Sequence, residues 1–275
     1  MNIPQGLRQL YRERRLIPFI GAGVSRSVVW TDNGVIRHGP SWSELVDEAA
    51  RLLGCTSPDL LRVRGSDIQI LEYYKLKFHG HGKLRSWLDH TMPPDDALVN
   101  APIHKALAGM EKCNVMYTTN YDDYLERSFR LLDRRCQVVA LEAHIKPQSS
   151  VCDIVKFHGD LDFESEMVLS ESDYERRLQL RSPMDLRFRA DLLNRAVIFI
   201  GYSFRDWNVA YLFRLFNEEF KELPDSAHGI RAYIIVPDPS DFERRLFRAR
   251  NIEVIPIDST NLASGIASVL SEIGR

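Results

Sequence analysis

Two polar side chains of this sequence could do chemistry: Asn120 in the motif TTNYD at 118–122, and His158 in FHGD at 157–160. An asparagine amide carries both a donor and an acceptor and does not titrate near neutral pH, so it can hold a sugar hydroxyl or a water in a fixed orientation. An imidazole can orient a hydroxyl or accept a proton near neutral pH. Asp122 could accept from further sugar hydroxyls. These residue types suit a site that holds a sugar hydroxyl or a water.

A glycine turn at 16–25, LIPFIGAGVS, ends a short apolar run near the start of the chain. Gly21 and Gly23 have no Cβ, so the backbone can turn tightly and approach a phosphate closely. Amides at the start of a following helix would point at the anion, and Ser25 could add a hydroxyl. The turn lacks the third glycine of G-x-G-x-x-G, so by itself it indicates a phosphate site only weakly.

A second glycine turn at 196–206, AVIFIGYSFRD, repeats this pattern and offers Gly201, Ser203 and Asp206. Its Gly-x-Ser resembles the start of a nucleophile elbow, but the fifth position is Arg205 instead of glycine. The pattern therefore disfavours a serine-hydrolase triad and favours contacts with a nucleotide.

Each of these motifs also has a simpler structural interpretation. Asn120 or Asp122 could cap the helix that follows them, and Asp206 could cap a helix that begins at Trp207. His158 could be a buried structural histidine, and the first glycine turn could be no more than a tight connection. The motifs taken singly leave both interpretations open.

The elements that must position these residues follow from the apolar pattern. Strand-like runs rich in β-branched residues are predicted at 16–20, 115–118, 137–141, 154–157, 197–200, 232–236 and 253–257. Helices are predicted at 5–15, 41–53, 68–77, 84–90, 121–132, 183–195, 207–220, 241–249 and 262–273. Strands that alternate with helices predict an α/β fold: a doubly wound, Rossmann-like parallel sheet of six or seven strands. Ligands bind such sheets at the carboxyl ends of the strands, where the motifs lie.

The length and composition predict one domain over residues 1–275, with a helical lobe inserted at about 40–112. The chain is 44% apolar and 27% charged, which is typical of a globular protein, and its net charge of −2 gives no reason to expect nucleic-acid binding. We expect no membrane span and no signal peptide, and therefore a cytoplasmic location. The four cysteines are far apart without a C-x-x-C pair, so we expect no metal site.

Taken together and in this order, GAGVS, TTNYD, FHGD and GYSFRD resemble a sirtuin-type NAD-binding domain. More specifically, they resemble the sirtuin-like NAD-hydrolysing effector domains of prokaryotic antiviral defence systems, over roughly residues 5–260. Protein-deacylating sirtuins carry a four-cysteine zinc module between the histidine motif and the later Gly-x-Ser turn. Here 42 residues separate His158 from Gly201, and none of them is cysteine. The resemblance therefore favours hydrolysis of NAD+ over deacylation of a peptide.

The resemblance implies an NAD+ glycohydrolase that releases nicotinamide and ADP-ribose, with NAD+ as its substrate and no further cofactor. It makes Asn120 and His158 catalytic. It gives contacts with NAD+ to the remaining polar and small residues of the four motifs: Gly21, Ala22, Gly23, Ser25, Thr119, Asp122, Gly201, Ser203 and Asp206.

The resemblance also implies a defence role in which depletion of NAD+ aborts a phage infection. Such an activity must be silent in healthy cells, so we expect control by homo-oligomerisation or by a partner protein, such as an ATPase, a nuclease or an Argonaute-like protein. Two alternatives stay open: an NAD-dependent deacylase or ADP-ribosyltransferase, and a non-catalytic NAD or ADP-ribose sensor.

Overall fold

A computed structural model describes residues 3–55, 57–146, 151–177, 182–202 and 232–275. Ser203, Asp206 and the helix predicted at 207–220 lie outside the described residues. Within the described part of the chain, no helix is long and apolar enough to cross a membrane.

A seven-stranded sheet forms the centre of the fold, and every strand pair in it is parallel. The predicted doubly wound α/β class is therefore confirmed, with the upper of the two predicted strand numbers. The strands are β1 (Leu16–Ile20), β4 (Val115–Thr118), β5 (Cys136–Val139), β6 (Cys152–Lys156), β7 (Ala196–Ile200), β8 (Ala232–Pro237) and β9 (Ile252–Ile257). They lie side by side in the order β5-β6-β4-β1-β7-β8-β9.

The central strands are buried on both faces because helices cover both sides of the sheet. All five residues of β1 and of β7 are buried, as expected for the continuous apolar runs of a parallel sheet. Along β1, Leu16 and Ile20 pack into one hydrophobic core, and Ile17 and Phe19 pack into the other. This alternation is the two-residue period of a strand, and it places the core on both sides of one sheet.

The helices bracket the sheet and build a lobe beside it. Their bounds are Gln5–Arg12, Ala22–Arg26, Trp42–Leu52, Pro58–Arg64, Asp67–Phe78, Gly82–His90, Asp95–Asn100, Pro102–Ala108, Tyr124–Leu131, Glu171–Arg177, Pro183–Leu192, Asp241–Arg248 and Leu262–Gly274. The 42–52 helix is capped by Ser41, which forms a capping box with Glu44. The helices from Trp42 to Ala108 lie within the predicted insertion, whose standing as a lobe of one domain stays a prediction.

One feature that the sequence analysis missed is a two-stranded antiparallel hairpin, β2 (Val29–Asp32) and β3 (Val35–His38). Asn33 and Gly34 form its turn, and both have positive φ, at 48° and 79°. Asn-Gly between short β-prone runs is a strong hairpin signal, because a type I′ turn needs positive φ at both central residues. The hairpin was therefore readable from VWTDNGVIRH.

The sheet topology gathers the four motifs at one edge. Strand β1 lies between β4 and β7. The chain forms β4, β5 and β6 on one side of β1 and then β7, β8 and β9 on the other side. The turns after β6, β4, β1 and β7 therefore come from four adjacent strands and meet at their carboxyl ends. In open α/β sheets, this reversal of strand order marks the crevice where ligands bind.

Candidate active site

A cleft opens beside the turns that follow β1 and β4. Its wall includes Ala22, Ser25, Asn120 and Asp122 from these turns, and Trp42 from the helical lobe. Its volume is about 60 Å³, room for roughly five water-sized groups. A sugar or a ring could occupy this space, whereas a whole dinucleotide would extend beyond it.

Asn120 is held in one orientation inside this cleft. Its Nδ2 donates to the Gly21 carbonyl oxygen at 3.1 Å and to Ser25 Oγ at 2.8 Å. A carbonyl oxygen can only accept, so the amide nitrogen must face Gly21, and the orientation of the side chain is fixed. Asn120 is 7% exposed, and its Oδ1 is buried with no hydrogen-bond partner. An unpaired buried acceptor is costly and rare, so this oxygen is the site's clearest sign of a missing ligand.

Ser25 and Asp122 support Asn120. The Ser25 hydroxyl donates to Asp122 Oδ2 at 2.7 Å, and therefore accepts the Asn120 amide with its lone pairs. Asp122 Oδ1 also accepts from the Tyr124 backbone N–H at 3.2 Å, whereas the N-cap residue of the helix is Asp123, which makes no side-chain capping bond. The helix begins at Tyr124 instead of the predicted residue 121, because residues 120–122 form the floor of the cleft. Ser25 and Asp122 both line the cleft, and the hydrogen bonds from Asn120 to Ser25 and from Ser25 to Asp122 hold the amide in place.

The sequence analysis did not name Lys156, which lies at the end of β6 and contacts the Asn120 turn. Its fully buried ammonium donates to the Asp122 carbonyl oxygen and pairs with Glu126 at 3.1 Å and Asp160 at 3.2 Å. Burial raises the pKa of Asp122, and the Lys156 charge and the Ser25 hydrogen bond oppose that rise without cancelling it. A lysine at the end of a buried strand, two residues before His158, was the available signal.

His158 follows β6 as predicted, but it is fully buried and is absent from the described residues that line the cleft. Thr118 of β4 pairs with Lys156 of β6, so Asn120 and His158 stand at equivalent positions beyond neighbouring strands. The imidazole stacks against Phe157, and neither of its ring nitrogens has a hydrogen-bond partner. Burial lowers the pKa of His158 well below its usual range, and the Arg177 charge adds to this effect. The ring is therefore neutral near neutral pH, and a neutral imidazole is better suited to hydrogen bonding than to accepting a proton.

The two glycine turns pack directly against each other. Gly21 and Gly23 donate their backbone N–H groups at 2.9 Å to the carbonyl oxygens of Ile200 and Gly201, respectively. A Cβ on Gly23 would lie 2.8 Å from the Gly201 carbonyl oxygen, and Gly201 itself has φ +74°. In this conformation the N–H groups of Gly21 and Gly23 are engaged within the fold and are not free to bind a phosphate. Both glycines are required by the contact between the turns.

Thr119 and Tyr202 connect the same strand ends. The Tyr202 hydroxyl donates to the Ile20 carbonyl oxygen at 3.0 Å and accepts from Thr119 Oγ1 at 2.9 Å. One tyrosine therefore links β1, β4 and the turn after β7. The sequence analysis named Thr119 and did not name Tyr202, although Tyr202 lies inside the GYSFRD motif.

The described residues contain no group of three or more His, Cys, Asp or Glu side chains that could hold a metal ion. All four cysteines are free thiols.

Comparisons with known proteins agree with this architecture. The family model described as "SIR2-like domain" matches residues 114–255, which carry Asn120, His158 and Gly201. NAD(+) hydrolase ThsA of Bacillus cereus (strain MSX-D12) is 28% identical over 200 residues, covering 70% of this chain and 38% of the relative. Its namesake from Acinetobacter baumannii (strain 532279) is 25% identical over 224 residues, covering 76% of this chain and 45% of the relative.

Defense-associated sirtuin 2 of Bacillus subtilis is 27% identical over 242 residues, covering 84% of this chain and 22% of that protein. The chain thus spans less than half the length of each of these relatives. A solved structure of a Sir2 enzyme covers 99% of this chain and 96% of its own, with a TM-score of 0.45 and 13% identity.

Proposed function

The chain belongs to the SIR2-like domain family, and we propose that it hydrolyses NAD+ to nicotinamide and ADP-ribose. The names of the ThsA relatives support the reaction. The observation that carries the proposal is the locked amide of Asn120, a residue that lines a cleft at the carboxyl ends of the strands and whose Oδ1 is buried without a hydrogen-bond partner. That oxygen can accept a hydrogen bond from a ribose hydroxyl or from a water.

In the proposed reaction, the bond between the nicotinamide nitrogen and ribose C1′ breaks. The electron pair leaves with nicotinamide, which departs as a neutral molecule and needs no acid. The oxygen of a water bonds to C1′ and loses a proton to solvent, so the products are nicotinamide, ADP-ribose and a proton. Positive charge develops on the ribose, as in other glycosyl transfers. Fixed polar groups around the ribose and the water would lower the barrier.

We assign the residues as follows. Asn120 orients the ribose and the water through Oδ1, and Ser25 and Asp122 hold its amide. His158 binds a ribose hydroxyl as a neutral imidazole, which requires ligand binding to open a path to its buried ring. Thr119 and the glycine turns at Gly21–Gly23 and Gly201 form the wall beside the dinucleotide. The contacts of Ser203 and Asp206 with NAD+ remain predictions from the sequence.

The biological role is also a proposal. The name of the relative Defense-associated sirtuin 2 supports a role in defence. We propose that the chain is a cytoplasmic NADase that depletes NAD+ during phage infection. Control would come from a second copy of the chain or from a partner protein such as an ATPase, a nuclease or an Argonaute-like protein.

The proposal is tested by measuring NAD+ loss and nicotinamide release with purified wild type, Asn120→Ala and His158→Ala. We expect both substitutions to abolish turnover while circular dichroism and melting behaviour stay close to wild type. Two folded variants with wild-type turnover would show that the site assignment is wrong.

A further inference from the structure

Lys156 is a buried ammonium that contacts three separate segments at the edge of the cleft. Its side chain is fully buried at the end of β6. The Nζ group pairs with Glu126 Oε1 at 3.1 Å and with Asp160 Oδ2 at 3.2 Å, and it also donates to the Asp122 carbonyl oxygen. The buried ammonium is thereby compensated by one hydrogen bond and two opposite charges, and compensation of this kind is what a buried charge requires.

The three partners belong to the parts of the chain that carry the proposed catalytic side chains. Asp122 is in the turn of Asn120, and Asp160 is in the turn of His158. Glu126 is in the first turn of the helix Tyr124–Leu131, which follows the Asn120 turn. A second link joins the same two turns, where the Leu161 N–H donates to the Tyr121 carbonyl oxygen at 3.3 Å. Lys156 therefore lies at the junction between the Asn120 turn and the His158 turn.

We propose that Lys156 is a positioning residue that fixes the Asn120 turn and the His158 turn relative to each other. The proposal rests on the proposed function for its catalytic consequence. On the Asn120 side, the contact continues from Lys156 through Asp122 and Ser25 to the Asn120 amide. On the other side, Asp160 is two residues from His158, so its position limits where the imidazole can lie.

The charges of this cluster explain why a purely apolar replacement would not serve. Burial by itself would lower the pKa of Lys156, but the carboxylates of Glu126, Asp160 and Asp122 outweigh it and raise the pKa. Burial raises the pKa of Glu126, although Lys156 opposes that rise. The carboxyl groups of Glu126 and Asp160 both pair with this one ammonium, and its removal leaves them without that opposite charge.

The test uses Lys156→Met combined with Glu126→Gln, which removes one charge of each sign, and Lys105→Met on an exposed helix position as the matched control. We expect the double variant to fold and to lose about 100-fold in kcat for NAD+, because a displacement of about 1 Å in a catalytic group has that effect. We expect KM to change little, because neither Lys156 nor Glu126 is among the residues that line the cleft. Lys156→Arg, which keeps the charge, should recover part of the loss.

A readout without NAD+ separates this inference from the proposed function. The Asn120 side-chain amide protons should exchange with solvent at least about tenfold faster in the double variant, while those of exposed Asn100 do not change. A wild type that shows no turnover, either alone or with lysate from phage-infected native host cells, would contradict the proposed function and leave this exchange measurement decisive for Lys156. Faster exchange would then still support the positioning role.

A second substitution covers the case in which the double variant does not fold. Asp160→Asn removes only the charge on the His158 side and keeps the side-chain volume. We expect it to lower kcat and to leave the exchange of the Asn120 amide close to wild type. A folded double variant with wild-type kcat and unchanged amide exchange would overturn the proposal. If the double variant does not fold, a folded Asp160→Asn variant with wild-type kcat would overturn it.

Discussion

At the scale of residues, the Gly21 carbonyl oxygen decides what Asn120 can do. It binds the amide nitrogen and leaves Oδ1 as a buried acceptor without a partner, in a residue that lines the cleft. The residue type and the position of Asn120 were readable from TTNYD at a strand end. The partners were not, because Ser25 lies 95 residues away along the chain and the contact exists only after β1 and β4 pair. Lys156 was missed for the same reason.

Asn120→Asp tests this fixed orientation with almost no change in shape. One carboxylate oxygen would face the Gly21 carbonyl oxygen, so two acceptors would repel each other and the side chain would turn. We expect turnover of NAD+ to fall by about 100- to 1000-fold, the usual effect of removing one fixed polar contact to a transition state. Asn100→Asp on the surface is the control. Equal turnover in Asn120→Asp and wild type would refute the orientation.

The buried carboxyl group of Asp122 should make the turnover of NAD+ depend on pH. Its carboxylate accepts from Ser25, and burial raises its pKa above the usual range. The ionised form therefore exists only above that raised pKa, and activity should fall as the pH drops through it. We expect Asp122→Asn to have lower kcat and to lack this acidic decline. A kcat profile of the variant that keeps the wild-type decline would assign it to another group.

At the scale of elements, the contact between the turns after β1 and β7 organises the site. The sequence analysis found both glycine turns and attributed the first to phosphate approach. In the structure the space beside Gly23 is occupied by Gly201 instead. The strands were predictable because their apolar runs are long and uninterrupted. The order of the strands in the sheet determines which turns contact each other, and no local sequence pattern predicts that order.

Gly23→Ala tests this contact. The added Cβ would lie 2.8 Å from the Gly201 carbonyl oxygen, so the turns must separate. We expect a loss of about 1–3 kcal/mol in the free energy of unfolding, as for other overpacked sites, together with lower turnover. Gly274→Ala is the matched control because nothing lies within 4 Å of its added Cβ. Chemical denaturation compares the two, and equal midpoints would contradict the packing argument.

Asp173 connects the helical lobe to the segment after the His158 turn. It accepts from Lys75 at 2.7 Å, from Ser170 Oγ at 2.8 Å, and contacts His81 Nε2 at 3.2 Å. Burial would raise the pKa of Asp173, but the hydrogen bonds from His81, Lys75 and Ser170 outweigh burial and lower it. The ionised carboxylate therefore stabilises the folded protein above the usual aspartate pKa, and this stability is lost as the pH falls further.

We expect Asp173→Asn to destabilise the protein by about 2–3 kcal/mol near neutral pH, the size of one hydrogen bond to a charged group. The difference from wild type should shrink below about pH 4, where an ordinary aspartate becomes protonated. Denaturation at a series of pH values measures it. A difference that stays constant down to strong acid would mean that the carboxylate charge is not what joins the lobe to this segment.

At the scale of the whole molecule, the parallel sheet was predictable and the lobe was predictable only in part. The sheet follows from seven strand-like runs separated by helices, and five of these runs are buried along nearly their whole length. The helices Pro58–Arg64, Asp95–Asn100 and Pro102–Ala108 were missed because each has seven residues or fewer, too short for a clear helical period. Their packing against the longer helices decides that they form.

The central claim is that water attacks ribose C1′ at a site built around Asn120, and isotope labelling tests it most directly. Purified wild type and Asn120→Ala would be incubated with NAD+ in H₂¹⁸O, alone and with lysate from phage-infected native host cells. We predict that wild type releases more nicotinamide and more ADP-ribose than Asn120→Ala, and that it releases the two products in equal amounts. The ADP-ribose should carry ¹⁸O at the C1′ from which nicotinamide departed. Products that do not differ between wild type and Asn120→Ala in either condition, or nicotinamide released without labelled ADP-ribose, would contradict the claim.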